Sequence, residues 1–279
     1  MTSKVFIFSA IALLLQGCSS CSSGNFLTTR AADRRVEQNG GRMSAYKVKT
    51  IYSKLEMPRP RHGEDVVEHT GFTTSYNHTT LVPDWAAYDL TSQELQGTNK
   101  PSCSFGWNPN LEGSQASRED YVNSGWDKGH MVPKADLKWS SDAFIESHYF
   151  TNICPQDHDF NAGDWRKLEE FVRRMANKFG TIYVVCGPIF GEHKYGYLGK
   201  NRVAIPDAFF KAILAHKNGS YIAIGFVMDN SSEYRQGYRD CACSIDDVER
   251  ITGLDLFYNL NDSIERLVEA DYNLREWDN

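Results

Sequence analysis

A surplus of positive charge is missing from this sequence. Its 30 Lys and Arg residues face 36 Asp and Glu, a formal net charge of −6, so no strong basic field marks it for a polyanionic partner. A nucleic acid would have to be met by a local basic patch in an acidic protein. Long apolar runs are missing too. The N-terminal one, residues 5–15, is interrupted by Ser9 and reaches about half of the roughly 20 residues that a membrane-spanning helix needs. No zinc half-site is present: Cys241-Ala242-Cys243 separates its thiols by one residue, where about two to four are usual. The His/Asp cluster of a zinc phosphoesterase is also lacking, and no internal repeat is visible. What is there suits a soluble globular protein, with 41% apolar and 24% charged residues. A length of 279 residues suffices for one large domain or two small ones.

The first residues read as an export signal rather than as part of a fold. Lys4 precedes the apolar run, which has the length of a secretory h-region. Leu15-Gln16-Gly17-Cys18 and a Ser-rich stretch follow directly, and this pattern resembles the bacterial lipobox. The resemblance implies a signal over residues 1–17, cleavage before Cys18, lipidation of Cys18, and an exported protein held at a membrane by that lipid. Ser19 after the cysteine favours the outer membrane of a Gram-negative cell. A plain secretory signal with an incidental cysteine is the alternative. Six further cysteines remain, at 21, 103, 154, 186, 241 and 243, an even number compatible with disulfides in an oxidising compartment. Cys154 with Cys186 is one candidate pair, although the sequence does not choose among the pairings.

Residues 18–60 are polar and irregular and read as a tether, with a short helical pattern around 45–55. Pro58-Arg59-Pro60 marks its end, because two prolines there prevent a continuing helix; the folded domain is expected over 61–279. Residues 72–76 and 84–90 are β-prone runs bounded by turn residues. Residues 91–125 carry Pro, Gly and Asn throughout and read as a loop-rich excursion. A helix is expected from near Ala162, where Leu168, Phe171, Val172, Met175 and Phe179 recur every three or four positions. A buried strand over 181–186 follows, stopped by Gly187-Pro188, then strands at 203–206 and 221–228. Ser244-Ile245-Asp246-Asp247 opens a capped helix, and a last helix is expected over 263–269. Strands, then a helix, then strands again indicate one α+β domain with an antiparallel sheet.

The informative segment begins Asp127-Lys128-Gly129-His130-Met131-Val132-Pro133-Lys134-Ala135-Asp136. A histidine after glycine with a carboxylate three residues earlier is a weak signal alone. It is followed by Asn152-Ile153-Cys154-Pro155-Gln156, by Asn161-Ala162-Gly163-Asp164-Trp165, and by Leu168-Glu169. In order and spacing these pieces resemble the DNA/RNA non-specific endonuclease family, the ββα-metal nucleases that include mitochondrial endonuclease G. That family's marks are Asp-Arg-Gly-His with a Pro and an Asp after it, then Asn-x-x-Pro-Gln, then Asn-x-x-x-Trp-x-x-Leu-Glu. The resemblance continues upstream in Pro83-Asp84-Trp85-Ala86-Ala87-Tyr88 and downstream in Cys186-Gly187-Pro188-Ile189-Phe190 and Ile205-Pro206-Asp207-Ala208-Phe209-Phe210-Lys211. It covers the chain from near His62 to near Leu260.

The resemblance implies a central antiparallel sheet flanked by helices, with a ββα-metal finger as active site. It implies metal-dependent hydrolysis of DNA and RNA with little sequence specificity, since phosphate contacts carry no base information. His130 suits the general base, because an imidazole with a pKa near 6.5 is mostly neutral at pH 7. Asn161 is the implied direct ligand of Mg²⁺, with waters in the other positions as that ion prefers; Mn²⁺ could substitute. Asn161 also reads as the N-cap of the expected helix. Glu169 lies about 12 Å further along it and is implied on the metal's water shell, with an i,i+4 pair to Arg173 as its ordinary alternative. Arg173 and Lys128 are implied beside the phosphate, and Asn152 as a brace of the site. Asp127 and Asp136 read as local braces, His148 and His158 match no functional position, and Trp126, Trp139 and Trp165 read as core. Two departures stand out. Lys128 replaces the family's arginine and loses its bidentate fork, and where a loop arginine is usual the chain has Lys100-Pro101-Ser102-Cys103, leaving Lys100 or Arg118 as stand-ins. Together with the acidic charge they support an alternative, a catalytically weak or inactive nuclease-fold surface lipoprotein that binds. The oligomeric state stays open, a homodimer included.

Overall fold

The computed structural model describes residues 53–231, 233 and 237–278. The expected signal, Cys18 and most of the helical pattern at 45–55 lie outside them. In chain order the strands are β1 (Asp65–His69), β2 (Phe72–Asn77), β3 (Val82–Thr91), β4 (Asp127–His130), β5 (Ile153–Gln156), β6 (Thr181–Ile189), β7 (Tyr197–Leu198), β8 (Val203–Ala204), β9 (Ala208–Lys217), β10 (Ser220–Asp229) and β11 (Ala242–Cys243). The helices are α1 (Ser141–Glu146), α2 (Arg166–Phe179), α3 (Ile245–Thr252), α4 (Asp262–Glu269) and α5 (Leu274–Asp278). One sheet has the order β1-β2-β3-β6-β9-β10-β11, and every neighbouring pair in it is antiparallel. β4 pairs with β5, and β7 with β8, outside that sheet. The architecture is α+β with a central antiparallel sheet.

Both faces of the sheet are covered. Along β9, Phe209, Ile213 and Ala215 enter one core while Phe210, Ala212 and Leu214 enter the other, the two-residue period that a strand imposes. The first core takes Leu168, Phe171, Val172, Met175 and Ala176 from α2 and Trp277 from α5. This is the stripe that the sequence shows, and burying each large member contributes about 1.5–3 kcal/mol. The second core takes Ile245 and Val248 from α3 with Leu254, Leu256 and Phe257 behind it. Burial on both sides leaves the first eight residues of β9 all buried, so no polar alternation marks this strand in the sequence.

Several expectations are corrected. The fold begins before residue 61: Leu55 is 1% exposed in the second core, and Arg59 pairs with Asp255 at 3.1 Å. The prolines at 58 and 60 stop a helix but not an extended, packed segment. β6 passes through Gly187-Pro188 to Ile189. Its pairing with β3 ends at Ala86↔Cys186, so the missing N–H of Pro188 removes no bond from that ladder. At Gly187 a Cβ would stand 2.5 Å from the Asp84 carbonyl oxygen, which only glycine accommodates. The helical stretch expected at Ala162 starts at His158, where the Asp157 carboxylate accepts from Phe160 N at 2.9 Å. A wider π-type turn, Asn161–Trp165, then leads into α2, so Asp157 and not Asn161 is the N-cap. Cys154 and Cys186 are both buried free thiols, with the Cys186 S–H directed to the Met131 carbonyl at 3.2 Å. Leu55→Ala in the full chain is expected to lower the free energy of unfolding in urea by about 2–5 kcal/mol; an unchanged midpoint would return this residue to a tether.

Candidate active site

β4 and β5 pair in the register Asp127↔Gln156, Lys128↔Pro155, Gly129↔Cys154 and His130↔Ile153. Strand alternation puts Lys128 and His130 on one side and Gly129 on the other. There a Cβ would collide with the Gln156 side chain, so a larger residue before the histidine would displace that buried amide. The chain leaving β4 is clamped by Asn152, which is fully buried. Its Oδ1 accepts from Val132 N at 2.9 Å, and its Nδ2 donates to the Val132 and Ser147 carbonyls at 3.0 Å each. A second buried amide, Asn230, donates to the Pro155 and Pro206 carbonyls and accepts from Asp157 N at 2.9 Å. It ties β5 and the start of the helical stretch to the end of β10.

The His130 ring lies 5.6 Å from the Phe105 ring and 5.1 Å from His148, edge-on to the latter at 89°. Its Nε2 is buried with no hydrogen-bond partner among the described residues. His148 Nδ1 lies 2.9 Å from the Phe144 carbonyl, which can only accept, so that nitrogen carries the proton. Burial first, then the fields of His148 and Lys134, push the His130 imidazole down to about 3. At neutral pH the ring is therefore uncharged. Lys128 Nζ stands 5.3 Å from the Tyr121 ring and 5.6 Å from the Phe105 ring, so one aromatic side chain carries both Lys128 and His130. Lys134 is a cation whose field reaches His130, whereas Lys100 is exposed on its loop.

Asn161 comes next to Asp127 through its amide nitrogen: Nδ2 donates to Asp127 Oδ2 at 3.0 Å, and the same oxygen meets His158 Nδ1 at 2.9 Å. Its Oδ1 accepts no hydrogen bond among the described residues, which leaves it free for a cation. Glu169 on α2 likewise accepts none. Its burial pushes the carboxyl up to about 7, against the opposing charges of Lys211 and Arg173. The alternative Glu169–Arg173 pair is not formed: Arg173 gives its guanidinium to Asp136 at 2.8 Å. Asp136 is 1% exposed and also receives the Tyr88 hydroxyl at 3.1 Å; a carboxylate so deeply buried needs the charge more. Lys211, fully buried on β9, lies 4.5 Å from the Trp165 ring, and its charge reaches Glu169. The free amide oxygen of Asn161 is a neutral hard donor, the type that suits a hard cation such as Mg²⁺ or Mn²⁺.

A family model described as DNA/RNA non-specific endonuclease matches residues 56–263. The chain belongs to the DNA/RNA non-specific endonuclease family. The mitochondrial nuclease EXOG of Danio rerio is 36% identical over 213 residues, 71% of this chain and 62% of that protein. Its Homo sapiens counterpart is 32% identical over 218 residues, 72% and 59%, and mitochondrial endonuclease G of Bos taurus is 31% identical over 183 residues, 61% of each. This chain thus spans about six-tenths of the length of these curated relatives. A chain in a crystal structure of an EndoG/EndoGI complex superposes with a TM-score of 0.67 at 26% identity, covering 72% of this chain and 89% of that one.

Within this nuclease fold the structure brings Lys128, His130, Asn152 and Asn161 together around the hairpin, and holds Glu169 and Arg173 on α2 with Asp136 and Lys211. His148, His158, Lys134, Lys211 and Asn230 carry contacts that sequence reading did not give them. Asn230 is a lone polar residue at a strand end, and nothing in its surroundings signals burial. A consequence of the depressed His130 is testable. Its folded value of about 3 lies below the 6.5 of a free imidazole, so between these limits the unfolded chain binds more protons. The stability it contributes is complete above pH 6.5 and is lost as pH falls towards 3. His130→Gln is expected to flatten the fall in Tm between pH 6.5 and 4; an identical slope would mean that the ring titrates normally.

Proposed function

We propose that the chain is a metal-dependent endonuclease that hydrolyses phosphodiester bonds in DNA and RNA with little sequence specificity, with His130 as general base and Asn161 as the direct ligand of Mg²⁺, which Mn²⁺ can replace. The observation that carries this reading is that one strand, β4, positions both residues: it bears His130, whose Nε2 is uncommitted among the described residues, and through Asp127 it holds Asn161, whose Oδ1 stays free of hydrogen bonds among them. The bound metal supplies Lewis-acid polarisation of the phosphate oxygens. Neutral His130 takes the proton of the attacking water. Held down to about 3 the ring is a weak base, and the negative charge of an arriving phosphate, which also counters the field of Lys134, raises its proton affinity where the substrate sits. Lys128 keeps one positive charge against the phosphate, and Arg173 offers the part of its fork that Asp136 leaves unused. Glu169 would orient water beside an ion held by Asn161. Each of these contacts is made to phosphate or water, which supports low base preference. The lipobox-like Leu15-Gln16-Gly17-Cys18 supports an exported enzyme anchored through lipid on Cys18.

The test compares the full chain with His130→Ala on supercoiled plasmid and on RNA, with Mg²⁺ and with EDTA. Both substrates are expected to be degraded, EDTA to stop the reaction, and the substitution to slow it about 10²–10⁴-fold. Equal background rates from both proteins with every divalent ion would leave a silent nuclease fold that acts by binding.

A further inference from the structure

On the sheet face opposite α2, three carboxylates converge. Asp246 and Glu249 stand three residues apart on α3, and Glu269 ends α4. One oxygen from each lies within 4.8 Å of the other two. Glu269 is 5% exposed, and its Oε1 is buried with no hydrogen-bond partner among the described residues. Glu249 is fixed by Leu256 N, which donates to its Oε1 at 2.6 Å. Asp246 is exposed and opens the cluster to water.

A buried carboxylate without a partner is among the least favourable arrangements in a fold, and two features here make it worse. Glu269 sits at the C-terminal end of α4, the negative end of the helix dipole, where a cation is favoured and a carboxylate is not. The nearby arginines are engaged elsewhere: Arg59 with Asp255, Arg250 with Asp247, and Arg266 with the Asp262 carbonyl. Burial, followed by the charges of Glu249, Glu265, Asp246 and Asp255, pushes the Glu269 carboxyl up to about 9.

We propose that Asp246, Glu249 and Glu269 form a structural Ca²⁺ site that joins α3 to α4, separate from the catalytic metal position. With bonds of about 2.3–2.6 Å and a flexible geometry, Ca²⁺ takes several carboxylates directly, whereas Mg²⁺ keeps most of its waters and takes only one or two. The donors are all oxygen, which disfavours zinc and copper. The bound ion neutralises Glu269 and pins the layer in which Val248, Ile264 and Val268 cover the second core.

The experiment is thermal unfolding of the full chain after chelation, with and without millimolar Ca²⁺, alongside Glu269→Gln, Asp246→Asn and Asn161→Ala. Ca²⁺ is expected to raise Tm by about 5 °C in the wild type and in Asn161→Ala, and to raise it by less than about 1 °C in Glu269→Gln. Asp246→Asn, a surface change that leaves the buried core intact, is expected to weaken Ca²⁺ at least tenfold if the glutamine variant fails to fold. Mg²⁺-dependent plasmid cleavage by Glu269→Gln should match the wild type. An absent shift in the wild type would mean that Glu269 is simply protonated. A shift lost in Asn161→Ala and kept in Glu269→Gln would place the ion at the finger, and either result overturns the proposal. None of the Tm readings depends on nuclease activity.

Discussion

Asp127 joins the two halves of the finger. From the first residue of β4 its Oδ2 receives the Asn161 amide at 3.0 Å and His158 at 2.9 Å, so the strand that carries His130 also turns Asn161 Oδ1 outward. A two-stranded ribbon is marginal on its own in water, and β4 with β5 spans only four residues on each side. Such a ribbon keeps its geometry by polar bonds as much as by apolar contact. Asn152 closes on Val132 behind the histidine, Asn230 holds Pro155 across from Lys128, and Asp127 reaches the helical stretch. Each of the two buried amides satisfies its donors and acceptor together, the condition under which buried polar groups specify one arrangement instead of weakening it.

Charge is arranged on the same local scale. The chain is acidic overall, yet two cations stand around His130 from its own strand and the turn after it: Lys128 shares the Phe105 ring with it, and the field of Lys134 reaches it. α2 and its neighbours hold a second group of opposite charges, in which Arg173 answers Asp136 and the charge of Lys211 reaches Glu169. Low dielectric magnifies both the penalties and the attractions there. This separates the proposed roles of two neighbouring acids: Asp136 is committed to Arg173 and Tyr88, while Glu169 accepts no hydrogen bond among the described residues.

Much of the fold was legible where one face of an element is solvated. The stripe of Leu168, Phe171, Val172, Met175 and Phe179 marked α2, and Ser244 marked the start of α3, where its hydroxyl accepts from Asp247 N at 3.1 Å. β9 was invisible as a strand because both its faces are buried and Lys211 interrupts an otherwise apolar run. Leu55 is a single apolar anchor in a polar stretch, and a single residue has no period. The site was legible through the order of its motif residues, not through any one of them. Its supporting groups, Asn230, His148 and Lys134, gain meaning only from partners 24 to 75 residues away or from a neighbouring ring. The start at His158 was missed because Asp157 caps a turn that continues as a π-type segment through Gly163 (φ −104°, ψ −106°), and the apolar stripe begins only after it.

The most direct measurement is the metal-concentration dependence of plasmid cleavage by the full chain and by Asp127→Ala. If Asp127 aims the Asn161 oxygen at the ion, the metal concentration for half-maximal rate rises about 10–100-fold in the variant, and most of the rate returns at saturating metal. An unchanged metal requirement with a collapsed maximal rate would contradict this, and would remove Asn161 from the metal and Asp127 from its support.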